Sequence, residues 1–228
     1  MIDPVWVVDS GPISASGLNL PVRMTVVRLS NGDLFLHSPT RFTADLAREM
    51  KALGPVRHLV APTIAHWSYL KEWQQAYSDA TTWAVPGLRD RTQVRRSGIR
   101  IDKDLGPEAP PAWTDDMIQG TVTGGAGFCE AYFFDKRSRT LVLADLIQDL
   151  QPEELPPLTR LVTRAARATQ GTTASHVRAV LRLGGREAAS SIAAMIALSP
   201  DRVIFAHGRS FDENGADRLR NAFAWLKV

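Results

Sequence analysis

The chain has 228 residues, 44% of them hydrophobic, which suits a single globular domain over residues 1–228 with a substantial core. A formal net charge of +3 is small for that length and does not call for a nucleic-acid partner, while a lone cysteine, Cys129, excludes an internal disulfide and any multi-cysteine zinc module. No run of about 18 apolar residues offers a membrane span, and the opening MIDPVWVVDS has acidic rather than basic residues, so a soluble cytoplasmic protein without a signal peptide or membrane partner is expected.

The first third reads as short strands over residues 5–8, 24–29 and 34–37, the last two joined by Ser30-Asn31-Gly32-Asp33, a hairpin signal. Thr43 suits the N-cap of a helix running to Leu53, where Gly54-Pro55 stops it. A buried strand at 58–61, a helix at 68–77 and a strand at 81–85 continue a βαβα rhythm. An Arg-rich, irregular region then extends to Pro111, with residues 106–113 as a surface loop. Strands return at 119–123, 130–135 and 140–144, the last two forming an antiparallel hairpin. Helices at 158–168, 174–183 and 186–198, a strand at 202–206 and a helix at 214–227 complete the chain. Sheets with helices outside follow from that order.

Three apolar runs end on residues that can bind a metal: HLVAPTIAH on His66, TLVLAD on Asp145 and VIFAH on His207. Strand ends are where α/β proteins place their chemistry, and two neutral imidazoles with one carboxylate suit Zn, Fe or Mn. Each residue also has a purely structural use. His66 can pack at a helix start beneath Trp67, Asp145 can cap the LIQDL segment, and His207 can be a loop histidine beside Gly208, which permits a tight turn. Their joint placement at three strand ends points to one shared site.

The order of elements, TLVLAD in mid-chain and VIFAHG near the end resemble the metallo-β-lactamase fold. That likeness implies an α/β, four-layer αββα sandwich, with two mixed sheets and helices on the outer faces. The fold carries a His-x-His-x-Asp-His loop, a further His before the central hairpin, a bridging Asp after it and a final His. Aligning His66 with the last loop His puts Ala61, Thr63 and Ala65 at three ligand positions, and the neighbourhood of Gly127 at a fourth. The resemblance therefore implies a degenerate site with at most one divalent metal (Zn, Fe or Mn) on His66, Asp145 and His207, or a metal-free protein. Over nearly its full length the chain also resembles a bacterial and plastid group, domain of unknown function 4336, through LFLHSPT, LGPVRHLVAPTIAHWSYLKEW and the hairpin with Glu130.

Within that frame, His37 lies where the fold places a turn lining the site, and is a candidate donor or extra ligand as well as a turn cap. Glu130 is a candidate ligand or base, or a hairpin-edge acid paired to Arg or Lys. His58 and His176 read as structural or exposed, and Cys129 as a soft ligand or a buried thiol. The cluster Arg89, Arg91, Arg95, Arg96, Arg100 and Lys103 reads as a solvated loop face, lacking the interleaved aromatics of a nucleic-acid binder. The leading expectation is a mononuclear hydrolase of a small ester, thioester or amide, with Glu130 or His37 as proton carrier and a small molecule as partner. The alternatives are a non-catalytic descendant binding a ligand or protein in the same cleft, and a phosphate or nucleic-acid binder using the Arg-rich loop. Oligomeric state has no signature in the sequence.

Overall fold

Two long strands, β1 (Val5–Ala15) and β2 (Leu18–Arg28), open the computed structural model as one antiparallel hairpin; residues 4–15 and 17–226 are described. The strands β3 (Leu34–His37), β4 (Val56–Ala61), β5 (Thr81–Ala84) and β6 (Lys103–Asp104) continue the first sheet in order β1-β2-β3-β4-β5-β6. Pairing is antiparallel as far as β3 and parallel from β3 to β6. Helices α1 (Ala44–Leu53) and α2 (Leu70–Ala76) make the parallel crossovers, and Thr43 caps α1 by accepting from the Leu46 amide. Parallel strands covered on both faces read as continuous apolar runs, as LFL and LVA do here.

Strands β7 (Met117–Thr123), β8 (Cys129–Asp135) and β9 (Thr140–Val142) form an antiparallel meander in the second sheet. Two short strands, β10 (Gln148–Asp149) and β11 (Thr169–Thr172), pair separately, with helix α4 (Pro157–Ala165) between them. After α5 (Ser175–Ala197), strand β12 (Arg202–Ile204) joins β9 in parallel, and α6 (Gly215–Ala222) follows. The second sheet runs β12-β9-β8-β7.

Side-chain alternation along these strands sorts the core into three apolar layers. Leu34 and Leu36 of β3 face α1 and α2, in a layer with Leu46, Met50, Leu70 and Trp73. Phe35 points the other way and meets Phe133 and Trp113, which in turn packs on Trp83, between the sheets. Tyr132 and Phe134 of β8 face Val177, Leu181, Ile192 and Leu219 of α5 and α6. Three apolar layers separate four layers of structure, which is the expected αββα sandwich.

Several elements differ from the sequence reading. The first hairpin is longer than 5–8 and 24–29, because Gly11-Pro12 interrupts the alternation and shifts the register between Ser10 and Ile13 without ending the strand. The Arg-rich region contains helix α3 (Thr92–Ser97), whose single buried residue, Val94, is too weak a period to announce it. The proline-rich flanks predict a surface loop at Trp113, yet it is 1% exposed because its ring fills the gap between Phe35, His58 and Trp83. The helices expected at 174–183 and 186–198 run on as α5, broken at Gly185, where φ is 58°. The last helix ends at Ala222; Lys227, its expected end, lies outside the described residues. Among the described residues no helix is long and apolar enough to cross a membrane.

Candidate metal centre

The strand register itself brings two of the three strand-end residues together. In the parallel β9/β12 pair Val142 stands opposite Ile204, and the ladder continues through Leu143 N–H to Ile204 O and Ala206 N–H to Ala144 O. Three residues beyond the Val142–Ile204 pair, Asp145 and His207 emerge side by side. His66 arrives from the other sheet. The loop after β4 crosses to β8, where Ala131 N–H donates to Pro62 O at 2.9 Å and Thr63 bridges to Glu130.

Around this point the backbone is held by buried polar contacts. The Glu130 carboxylate, 0% exposed, accepts from the amides of Ala144 (2.7 Å), Asp145 (2.8 Å) and Leu146 (2.9 Å), fixing the turn that presents Asp145. Gly208 has φ of 94°, and a Cβ there would lie 2.0 Å from Asp149 O, so the turn after His207 accepts only glycine. Arg23 of β2 donates to Gly208 O at 2.7 Å and Ser210 Oγ at 2.8 Å, tying the first sheet to this turn.

The two imidazoles converge on one carboxylate oxygen. His66 Nε2 lies 3.2 Å and His207 Nε2 3.3 Å from Asp145 Oδ1, and the three donor atoms all lie within 4.8 Å of one another. Asp145 Oδ2 accepts from Thr63 Oγ1 at 3.2 Å. His207 Nδ1 is 2.8 Å from Pro21 O, which can only accept, so Nδ1 carries the proton. The neutral ring therefore turns a bare Nε2 lone pair toward Asp145 Oδ1, and two acceptors at that distance require a cation, either a second proton or a metal. Metal–nitrogen and metal–oxygen bonds of about 2.0–2.1 Å in a tetrahedron separate neighbouring ligands by roughly 3.3 Å, the spacing of each imidazole nitrogen from Asp145 Oδ1. The charges agree. Burial alone would raise Asp145, but His66 and His207 hold it well below the usual carboxylate range. Burial opposes protonation of His207, but the hydrogen bond to Asp145, its charge and the hydrogen bond to Pro21 O together outweigh burial and raise it.

His66 Nδ1 lies 2.5 Å from Ser38 Oγ, a partner the sequence did not flag. Ser38 follows β3 with φ of 55°, unusual for a residue with a side chain, and its amide is anchored on Val60 O. A backbone angle leaves no mark in one sequence, which is why only its neighbour His37 stood out. Partners on the distal nitrogen of a metal-binding imidazole set its tautomer and orientation. Ser38→Ala should lower Zn or Mn affinity about 10–100-fold, as other such partners do, with an unchanged circular dichroism spectrum. An unaltered calorimetric titration would remove Ser38 from the site.

The three residues lie on the floor of a cleft of about 530 Å³ lined also by Ser38, Thr63, Cys129 and His176. Glu130, His37, His58 and the Arg-rich cluster are placed elsewhere. Glu130 does not line the cleft; its oxygens are taken by the three amides, and burial, with the Asp145 charge, pushes it up to about 8 against their pull. Its expected pairing with Arg or Lys is replaced by these backbone bonds. His37 is 1% exposed, stacks edge-on against Phe133 and has no partner for Nε2 among the described residues; burial lowers it to about 3. His58 is enclosed by Phe35, Trp83 and Trp113. The Cys129 thiol is pushed up to about 11 by burial. In the Arg-rich region Arg89 pairs with Asp104 and Arg100 with Asp102, and none of its residues lines the cleft.

Residues 3–181 match the profile of a family described as domain of unknown function DUF4336. The chain belongs to that family. Solved structures of metallo-β-lactamases share the fold of this DUF4336 chain. The DIM-1 enzyme exposed to ceftazidime aligns at 15% identity over 99% of this chain and 94% of its own, with a TM-score of 0.66. A metallo-β-lactamase from Pontibacter korlensis aligns at 13% identity over 98% and 96%, with a TM-score of 0.56. One from Hirschia baltica aligns at 12% over 96% and 92%, with a TM-score of 0.55. No curated protein matches the sequence. At these identities the likeness establishes the metallo-β-lactamase fold.

Proposed function

We propose that the protein is a hydrolase of a small ester, thioester or amide that uses one divalent metal held by His66, Asp145 and His207. The observation that carries this reading is the convergence of both Nε2 atoms on Asp145 Oδ1 at the floor of an open cleft. Ala61, Thr63 and Ala65 occupy three positions where the resembled two-metal enzymes have ligands, which supports a single ion. Zn, Fe or Mn, when bound, supplies Lewis acidity and lowers the pKa of water. The chain's own residues prepare the place. Ser38 and Pro21 hold the distal ring nitrogens, Thr63 occupies Asp145 Oδ2 and so leaves Oδ1 toward the imidazoles, and Glu130 fixes the amides of residues 144–146. Neither Glu130 nor His37 reaches the cleft, so neither is retained as proton carrier; His176, at the cleft rim, is the one further imidazole that lines it.

A second reading, a ligand-binding protein without catalysis, is favoured because among the described residues no carboxylate other than Asp145 lines the cleft. A screen of nitrophenyl esters, thioesters and anilides with added Zn or Mn separates the two. The hydrolase reading expects turnover that falls at least 100-fold in His66→Ala plus His207→Ala. Metal-loaded protein inactive across the whole screen would leave the binding reading.

A further inference from the structure

The walls of the cleft differ in kind from its floor. Ile13 and Leu20 of the first hairpin, Ile64 and Trp67 of the crossing loop, Val162 of α4 and Val180 of α5 surround it. The chain has 27 Lys and Arg residues, yet among the described residues none lines the cleft. Among the described residues its ionisable groups are the three floor residues, His176 at the rim, the Tyr69 hydroxyl and the Cys129 thiol, which burial keeps neutral. A phosphate, nucleotide or carboxylate entering these walls would lose its hydration without meeting a Lys or Arg, and in the metal-free protein the proton shared by His207 and Asp145 is already paired with that carboxylate.

Helix α4 supplies an independent observation. A surface helix ordinarily turns its apolar stripe inward. Here Thr159 and Thr163 are the buried residues, while Leu158, Leu161 and Val162 are 64%, 68% and 39% exposed. Spacings of three and four residues put those three on one side of the helix. Val162 lines the cleft, so the stripe carries its apolar surface outward over the rim. Such a track has room for a tail longer than the cleft.

We infer that the ligand of this cleft is an uncharged acyl compound with an aliphatic chain of about eight carbons or more, its carbonyl at the floor and its tail leaving over Val162 toward Leu161 and Leu158. The inference rests on the hydrolase reading for the orientation of the carbonyl, but the tail specificity stands or falls separately.

Calorimetry on chelator-treated protein tests it without metal or turnover, using octanamide, acetamide and octanoate as probes. Octanamide should bind at least about 100-fold more tightly than acetamide, since six added methylenes are buried, and at least about 10-fold more tightly than octanoate, whose charge has no partner. Val162→Lys and Leu161→Lys change exposed positions and should leave the melting temperature in place. Val162→Lys should weaken octanamide about 10-fold and narrow its advantage over octanoate; Leu161→Lys should act only on longer amides. Equal binding of octanamide and acetamide, or octanoate binding as tightly as octanamide, would overturn the inference. Tail-dependent binding without any metal-dependent turnover would sink the hydrolase alone. Metal-dependent hydrolysis of nitrophenyl acetate and octanoate at equal rates would sink the tail alone.

Discussion

Glu130→Ala should lower the unfolding free energy by about 4 kcal/mol, because three amides lose their acceptors inside the protein. The carboxylate accepts from Ala144 and Leu146, which are buried, and from Asp145, which is partly so, and truncation leaves these donors without a protein acceptor. For a chain of this size the loss corresponds to a drop of about 10 °C in melting temperature. Glu130→Gln keeps one acceptor oxygen but presents an NH2 group to donors, so it should recover less than half of the loss. The same turn presents Asp145, and metal affinity should fall with stability in both variants. A Glu130→Ala protein that melts with the parent but has lost only activity would instead place Glu130 in the chemistry.

Acid should expose the cost of the buried histidine at the far end of the inter-sheet core. His58 is 8% exposed, packs against Trp113 at 5.3 Å and accepts from Trp83 Nε1 through Nδ1. Burial lowers its pKa from 6.5 to about 4. In the unfolded chain the ring takes a proton below pH 6.5, whereas the folded protein resists until about pH 4. Between those values the unfolded state binds more protons, so this contribution to stability is complete above pH 6.5 and is lost as pH falls toward 4. The loss amounts to about 3 kcal/mol, at 1.36 kcal/mol for each pH unit. Other groups titrate in the same range, so the clean measurement is parent against His58→Phe, where they cancel. The variant should gain about 3 kcal/mol relative to the parent between pH 7 and pH 4; a difference independent of pH would show that His58 is solvated.

Much of the sandwich was legible because strand and helix periods survive in a single sequence. LFLHSPT, HLVA and TLVLAD announced buried strands, and the likeness of TLVLAD and VIFAHG to one fold supplied their arrangement. His66, Asp145 and His207 stood out because each closes an apolar run. Their meeting depends on the β9/β12 register, a long-range pairing that local pattern does not encode. Ser38, Pro21 and Arg23 support the imidazoles through a backbone angle, a carbonyl and a cross-sheet hydrogen bond, none of which has a residue-type signature. Glu130 is a carboxylate near the site, but its alternating position on β8 turns it away from the inter-sheet side that Ala131 and Phe133 occupy. Trp113 shows the opposite difficulty: proline-rich flanks mark a loop, and only tertiary packing reveals that the loop inserts an indole into the core.

The central claim is that His66, Asp145 and His207 hold one divalent ion. Its most direct test is the metal content, by mass spectrometry, of protein purified without chelator, beside a His66→Ala plus His207→Ala variant that retains the parent's circular dichroism spectrum. The parent should carry one equivalent of Zn, Fe or Mn per chain, and the variant should lose at least nine-tenths of it. A parent without metal that also takes up none when titrated with these ions, or a variant with unchanged content, would contradict it.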